Sequence, residues 1–350
     1  MSCIHEHWGL EFSPEEIRET RARHGLLSME LELSRICNLG CIYCYAASGI
    51  PLDNELRLPE LLNIVDQSVD LGVKKIIILG GGEPLLFPDL FPLIEYIRGK
   101  NLTVDLFTNA TLLTREQADR LYGLQVGVVI KMNSRNPIIQ DILAARSGTL
   151  EAIEQGLQFL KDAGYPNEEH VLGIETIICG HNYQELPDLW RWARRQNIIP
   201  YIETMTLQGR AKEYPDLEVP TEKIQRLFEV LADIDAKEFQ KNWTPHPPLV
   251  GSQCARHEYS CTLTSTGDIH PCPGVAVSAG NIREQKLADI LRQSAIIHDL
   301  RNIRSTIKGE CSSCDLSDQC YGCRGHAYQV TGDYLAEDPL CWLRKSHQSK

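Results

Sequence analysis

Three cysteines stand close together near the start of the chain: Cys37, Cys41 and Cys44, in the run CNLGCIYC. The spacing C-x3-C-x2-C offers three thiolates within one short loop. Because an iron–sulfur cluster is normally held by four cysteines, three near ligands predict a [4Fe–4S] cluster with one iron left open for a small molecule. A zinc loop or a disulfide pair is the alternative, although zinc favours paired CxxC knuckles and four closed ligands.

A second group of cysteines occupies the C-terminal third, where eight of the thirteen lie. The opening run MSCIHEHWGLEFSPEE has no export signal, so this number of cysteines indicates metal binding rather than disulfides. Eight thiols are enough for two fully ligated [4Fe–4S] clusters, and two zinc sites in a ribbon are the alternative. The eight are Cys254, Cys261, Cys272, Cys311, Cys314, Cys320, Cys323 and Cys341.

Six alternations of an apolar strand with an amphipathic helix position the first cysteine loop. The predicted strands are 29–34, 74–79, 102–107, 126–131, 171–178 and 198–203, and the predicted helices are 59–71, 88–99, 114–123, 149–163, 184–196 and 221–240. Continuous apolar strands separated by helices predict a parallel sheet covered by helices. Right-handed crossovers curl such a sheet toward a barrel. We therefore predict an α/β fold, a partial (β/α)6 TIM-like barrel that is open on one side.

A proline-rich run, KNWTPHPPLVGSQ, indicates a domain boundary after the last of these helices. We predict an N-terminal extension over 1–28, with a helix signal at Ser13 and Pro14, the partial barrel over 29–245, and a small cysteine-rich iron–sulfur domain over 246–350. The last domain has short, weak elements, and we expect it to need its metals in order to fold.

Charge and hydropathy argue against binding to nucleic acid and against a membrane span. The net charge of −12 disfavours binding to nucleic acid by bulk electrostatics. The chain has no apolar run of about 18 residues, so we predict no membrane span. Without an export signal, the expected location is cytoplasmic.

The cysteine loop resembles the signature of the radical S-adenosylmethionine (SAM) enzymes, C-x3-C-x-aromatic-C, in which Tyr43 is the aromatic residue. The run GGGEP, at the end of the second strand, matches the family's GGE motif, which binds the SAM amino group. Its members here are Gly81, Gly82, Glu83 and Pro84. An ordinary glycine turn is the alternative, but the position one β/α unit after the cysteine loop favours the motif.

The resemblance also implies SAM contacts at later strand ends. Asn109, after the third strand, is expected near the adenosyl group, and Lys131 and Asn133, after the fourth, near the ribose. Arg146 lies where related enzymes often place an arginine near the SAM carboxylate. Each of these side chains has a surface or helix-capping role as its alternative.

The C-terminal pattern C-x2-C-x5-C-x2-C over 311–323, with a later cysteine, resembles the SPASM extension of radical SAM enzymes. By resemblance, one auxiliary cluster takes Cys254, Cys261, Cys272 and Cys323, and the other takes Cys311, Cys314, Cys320 and Cys341. With the cluster of the first loop, the expected cofactors are three [4Fe–4S] clusters and SAM.

The resemblance implies that a reduced donor such as flavodoxin or ferredoxin supplies an electron, that SAM is cleaved, and that a 5′-deoxyadenosyl radical abstracts hydrogen from a substrate C–H bond. Beyond the three cysteines of the first loop, Glu203 at the sixth strand is a candidate catalytic residue, and Cys179 is a candidate hydrogen donor. Two auxiliary clusters favour net oxidation or cross-linking, so the expected enzyme is an oxidoreductase.

Three substrate classes follow from this reading. The first is a peptide or protein side chain. The second is a small molecule such as a sugar, an aminocyclitol or a tetrapyrrole, which is favoured because the segment before the barrel is too short for a leader-peptide-binding domain. The third is a non-catalytic iron–sulfur electron carrier, against which the intact SAM motifs argue. The sequence does not indicate the oligomeric state.

Overall fold

The computed structural model describes residues 12–343, and its first element is the predicted N-terminal helix, α1, over Pro14–Ala22. The Ser13 side chain accepts from the backbone N–H of Glu16, and the Glu16 carboxylate accepts from that of Ser13, which forms a capping box. Proline occupies the first turn, as the sequence predicts. Cys3 lies outside the described residues.

The main sheet has eight strands in the order β6-β5-β4-β3-β2-β1-β7-β8. The first six strands along the chain run parallel to one another, which confirms the predicted parallel barrel sheet. The bounds are β1 Ser28–Ser34, β2 Lys75–Gly81, β3 Thr103–Thr108, β4 Gly127–Lys131, β5 Leu172–Ile178, β6 Ile199–Thr204, β7 Thr262–Leu263 and β8 Ile269–His270.

Helices cover the outer face of this sheet and bury its apolar side chains. The helices after α1 are α2 Leu58–Asp70, α3 Leu90–Gly99, α4 Arg115–Gly123, α5 Pro137–Ala144, α6 Thr149–Ala163, α7 Leu186–Arg195, α8 Thr221–Glu238, α9 Leu287–Gln293, α10 Ala295–Arg301, α11 Ile303–Thr306 and α12 Arg324–Thr331. The sequence analysis did not predict α5, although its start carries a recognisable signal. Asn136 caps the helix by accepting from the Ile138 N–H, and Pro137 takes the first helical position.

Alternation along β1 separates the outer core from the barrel interior. Met29 and Leu31 belong to the main apolar core, whereas Glu30 and Glu32 are buried on the inner face. The interior is plugged by a small apolar cluster built around Val129 from β4, which packs with side chains from β3 and β6. Polar groups that could do chemistry therefore lie above this plug, at the carboxyl ends of the strands.

The sheet continues beyond the boundary predicted at residue 245. β7 pairs in parallel with β1, with Thr262 opposite Glu30, and β8 returns antiparallel to β7. These short strands cover the open edge of the barrel, so the cysteine-rich segment is attached to the barrel by backbone pairing. Among residues 12–343, no helix is both long enough and apolar enough to cross a membrane.

Candidate functional site

The first cysteine loop follows the carboxyl end of β1, where the fold places working groups. The thiols of Cys37, Cys41 and Cys44 lie close enough for their charges to interact. Burial raises the pKa of Cys37 to about 11, so its free thiol stays protonated near neutral pH. Metal ligation requires the thiolate, and a bound metal supplies the positive charge that makes deprotonation favourable.

Backbone contacts from distant segments fix the shape of this loop. The N–H groups of Gly40 and Ile42 donate to the last carbonyls of α5, at 3.1 and 3.0 Å. Arg210 donates from Nη1 to the Cys41 carbonyl at 2.7 Å, and its own N–H donates to the Cys44 carbonyl at 3.0 Å. The sequence analysis missed both supports, because a buried backbone contact of an arginine leaves no periodic signal.

The glycine run at the end of β2 lies directly against the cysteine loop. A Cβ at Gly82 would overlap the Ile36 carbonyl oxygen, so this approach requires glycine. Gly81 has a φ of +66°, in the left-handed region. Glu83 donates its N–H to the Ile36 carbonyl at 2.8 Å, and Pro84 begins a short 3-10 helix.

The Glu83 carboxylate is buried and already receives three hydrogen bonds. The Thr108 hydroxyl donates at 2.6 Å, the Leu85 N–H at 3.0 Å and the Asn109 N–H at 2.7 Å. Burial raises the pKa of Glu83, which these three donors oppose. A carboxylate has about four acceptor positions, so one remains for a ligand ammonium. Glu83 also fixes the adjacent strand end that carries Asn109.

Asn133, after β4, has a buried amide with an unused donor. Its Oδ1 accepts from the Ile177 N–H at 3.0 Å, whereas its Nδ2 has no hydrogen-bond partner among the residues described. An unsatisfied buried donor is unfavourable unless a ligand or water completes it. Asn133 therefore fits the predicted role of a ligand-binding residue at this strand end.

Lys131, Glu175 and Glu203 form a charged group on the inner face of β4, β5 and β6. The Lys131 Nζ lies 3.0 Å from Glu175 Oε1, and 5.1 Å from the centre of the Tyr43 ring. Glu203 lies close enough to Glu175 for their charges to interact. Burial, and then the charge of Glu175, raise the pKa of Glu203 to about 7. A carboxyl group with such a pKa can accept or release a proton near neutral pH.

Two other predicted site residues lie beside the loop without joining this group. Arg146 is exposed and donates from Nη1 to the Asn38 carbonyl at 3.0 Å. Cys179 is fully buried in an apolar cluster with Ile42 and Leu143. Burial raises the pKa of Cys179, so the thiol is neutral, as a hydrogen donor requires. Its catalytic role stays a prediction.

In the C-terminal segment, Cys311, Cys314, Cys320 and Cys341 come together as one group of four thiols. Cys320 interacts electrostatically with Cys311 and Cys314, and Cys341 with Cys311 and Cys320. Burial raises the pKa of Cys320 to about 11 and that of Cys341 to about 12.

A second C-terminal group contains Cys254, Cys272 and Cys323. Cys323 interacts with Cys272 and Cys254, whereas the charged groups that act on the Cys261 thiol are Glu30 and Arg301. The resemblance assigns all four thiols to one cluster, and for Cys261 that assignment stays a prediction.

The residues present fit anionic iron–sulfur clusters. Arg324, next to Cys323, is 1% exposed, and its Nε and Nη2 have no hydrogen-bond partner among the described residues. Its charge acts on Cys311, and that of Arg256 acts on Cys254 and Cys272. Buried cations beside buried thiols need negative charge, which thiolates bound to a cluster supply.

Across residues 12–343, no three His, Cys, Asp or Glu side chains are placed to hold one metal ion.

Two family models match the regions that carry these groups. The model of the radical SAM superfamily matches residues 31–193, and that of the SPASM iron–sulfur cluster-binding domain matches residues 254–315. The AdoMet-dependent heme synthase of Methanosarcina barkeri is 30% identical over 340 residues, covering 89% of this chain and 95% of the relative. The chain belongs to the radical SAM superfamily. It is a radical SAM enzyme with a C-terminal SPASM domain.

Two further relatives of this radical SAM enzyme have two different names. The AdoMet-dependent heme synthase of Nitratidesulfovibrio vulgaris is 26% identical, with 89% of this chain and 90% of the relative covered. The mycofactocin maturase MftC of Mycobacterium tuberculosis is also 26% identical, with 89% and 81% covered.

Solved structures share the fold of this radical SAM enzyme. Streptococcus suis SuiB, bound to the precursor peptide SuiA, aligns with a TM-score of 0.72 at 17% identity, covering 94% of this chain and 79% of that one. The enzyme anSMEcpe with bound AdoMet aligns with a TM-score of 0.68 at 16% identity, covering 89% and 93%. At these identities the likeness shows the fold alone, and it confirms the predicted TIM-like barrel.

Proposed function

We propose that this radical SAM enzyme performs a net oxidation at an unactivated C–H bond of a tetrapyrrole that carries carboxylate side chains. The observation that carries the proposal is the 30% identity to a heme synthase across 95% of that relative's length. The interior of the barrel is consistent with it, because the Lys131 ammonium lies at the carboxyl end of β4, where it can pair with a carboxylate.

We further propose three [4Fe–4S] clusters. The first is held by the group of Cys37, Cys41 and Cys44 (the Cys37 group), the second by the group that contains Cys254, Cys272 and Cys323, and the third by the group of Cys311, Cys314, Cys320 and Cys341. With SAM, the first cluster supplies a 5′-deoxyadenosyl radical once a reductant such as flavodoxin or ferredoxin has provided an electron. Gly81, Gly82, Glu83, Asn109 and Asn133 bind and orient SAM, together with Tyr43 and Arg146 beside the loop.

After hydrogen abstraction, net oxidation requires the substrate radical to lose one electron and one proton. The two C-terminal groups of thiols would hold the clusters that accept this electron. The proton passes to Glu203, whose pKa of about 7 leaves about half of its carboxyl groups ionised at neutral pH. Glu175 and Lys131 position Glu203 and set its pKa.

A peptide side chain is the second candidate substrate, and the similarity to mycofactocin maturase favours it. The two substrate classes make different demands on the barrel. A planar tetrapyrrole enters as one rigid body, whereas a peptide lies across the mouth as an extended segment.

Anaerobic turnover separates the two classes. The reconstituted, reduced protein is given SAM and either an iron porphyrin with carboxylate side chains or a protease-sensitive fraction of a cell extract, and 5′-deoxyadenosine is measured. We expect the porphyrin to stimulate its formation and to be oxidised. Stimulation by the protease-sensitive fraction alone would refute the tetrapyrrole proposal and support the peptide.

Cys41→Ala supplies the control for the SAM-cleaving site. It should abolish 5′-deoxyadenosine formation. About eight irons, those of the two auxiliary clusters, should stay bound. Retained SAM cleavage would contradict the assignment of the Cys37 group.

A further inference from the structure

The position of Cys261 in the β7–β8 hairpin separates it from the auxiliary thiols. Thr262 lies opposite Glu30, and its hydroxyl donates to Glu30 Oε2 at 2.6 Å, so both side chains face the barrel interior. The Glu30 N–H donates to the Cys261 carbonyl at 2.9 Å, which places Cys261 in the same ladder. Because successive side chains in a strand point to opposite faces, Cys261 points away from the interior.

The surroundings of Cys261 agree with this orientation. The side chain is 1% exposed and packs in the main apolar core beside Leu263, two residues further on the same face. Cys272 also belongs to this core, so the orientation of Cys261 follows from the pairing of β7 with β1 and not from burial. Arg301, whose charge acts on the thiol, lies at the end of α10 on the outer side of the sheet. Turning Cys261 inward would require a one-residue slip of β7, which would turn Leu263 into the polar interior.

We infer that Cys261 is not an iron ligand, and that Cys254, Cys272 and Cys323 hold their auxiliary cluster through three thiolates with the fourth iron left to a small, non-protein ligand. The inference rests on the proposed function, because it takes this group to be a cluster site.

A cavity beside this group fixes the size of that ligand. The cavity measures about 50 Å³ and is lined by Cys254, Arg256, Glu30 and Tyr201, among others. A water needs about 10–15 Å³ of a cavity measured in this way, so the space admits a ligand the size of one to a few waters and is too small for a porphyrin. The Arg256 guanidinium lines the cavity but is paired with Glu30 Oε1 at 2.6 Å, so the lining admits water as well as a small anion such as hydroxide or cyanide.

Iron content tests the ligand set without any turnover. The starting protein is the full chain with Cys37, Cys41 and Cys44 replaced by alanine, which should hold about eight irons in two auxiliary clusters. Adding Cys261→Ala should leave this content and the low-temperature EPR spectrum of the reduced protein unchanged. Adding Cys254→Ala should remove about four irons. If Cys261→Ala loses iron as Cys254→Ala does, the inference is wrong.

A second apolar variant, Cys261→Val, restores the buried volume, so iron loss caused by a packing defect would appear with Ala and not with Val. Loss of iron with both variants, in protein that remains folded by circular dichroism, would overturn the inference. If the starting protein itself lacks the two clusters, the proposed function fails instead, and the two failures are thereby distinguished.

Cyanide probes the fourth iron directly, since the starting protein lacks the three cysteines that hold the SAM-binding cluster. We expect cyanide to change the EPR signal of one of the two clusters, and to have no effect after Cys254→Ala. An unchanged spectrum in the starting protein would show that the fourth position is closed.

Discussion

Protonation of Glu203 should control how efficiently SAM cleavage is coupled to product. Burial and the charge of Glu175 hold the Glu203 pKa near 7. With this value, the ionised fraction rises from about 0.09 at pH 6 to about 0.91 at pH 8, a tenfold change. If Glu203 takes the substrate proton, the amount of product per 5′-deoxyadenosine should rise by up to about tenfold over this range.

The ratio of product to 5′-deoxyadenosine is the informative quantity, because 5′-deoxyadenosine forms before the substrate loses its proton. Glu203→Gln keeps the shape of the side chain but cannot accept the proton, so it should lower the ratio at every pH and remove its pH dependence. A ratio that stays constant from pH 6 to pH 8 in the unaltered protein, or a Glu203→Gln variant with an unchanged ratio, would refute this role.

Two neighbouring substitutions should move the midpoint of this pH dependence, which is the pH at which half of Glu203 is ionised, in opposite directions. Glu175→Gln removes a like charge and should shift the midpoint below pH 7, whereas Lys131→Met removes a cation and should shift it above pH 7. A merely structural role for either residue would change the rate without this pair of opposite shifts.

Stability provides a readout that is independent of turnover. The Glu203 pKa is higher in the folded protein than the ordinary value of 4.5, so the folded state loses stability as the pH rises from about 4.5 to 7. This loss is on the order of 3 kcal/mol at most, because one pKa unit corresponds to about 1.4 kcal/mol. Glu203→Gln should remove this pH dependence from the free energy of unfolding.

Two further substitutions test the framework around the site. Asp235 is buried and lies 2.7 Å from Arg194 Nη2, so Asp235→Asn should lower the free energy of unfolding by about 3–5 kcal/mol in urea titrations. The exposed Asp233→Asn, on the same helix, should change it by less than about 0.5 kcal/mol, and equal effects would contradict this reasoning. Cys320→Ala should leave SAM cleavage in place and stop product formation, with the nearby Ser312→Ala as its control; full turnover by Cys320→Ala would remove that cluster from the reaction.

The sequence predicts the barrel well because each of its strands is a continuous apolar run between amphipathic helices. The run KKIIIL becomes β2, and the predicted helix over 149–163 is α6 with the same bounds. β7 and β8 have two residues each, which is too short for a periodic signal. Their pairing with β1 is set by tertiary contacts, so the continuation of the sheet into the C-terminal segment could not be predicted.

The charged group inside the barrel shows a second limit of sequence reasoning. Lys131 lies opposite Glu175 in the register of β4 and β5, and Glu203 reaches Glu175 from β6. Each residue can be named as a candidate from its place at a strand end. Their mutual contacts, and therefore the pKa of Glu203, depend on the register between strands that are distant in sequence.

Cys261 shows that the number of cysteines predicts the ligands of a cluster less well than the orientation of each side chain does. Eight thiols suggest two clusters of four, yet a residue's neighbours in a strand decide which face it occupies. The same hairpin places Thr262 on Glu30 and Cys261 in the apolar core, so pairing with β1 both attaches the C-terminal segment to the barrel and removes one thiol from its cluster. The group that would hold this cluster includes Cys254, which lines the same cavity as Glu30, so a small ligand in that cavity would lie next to the cluster.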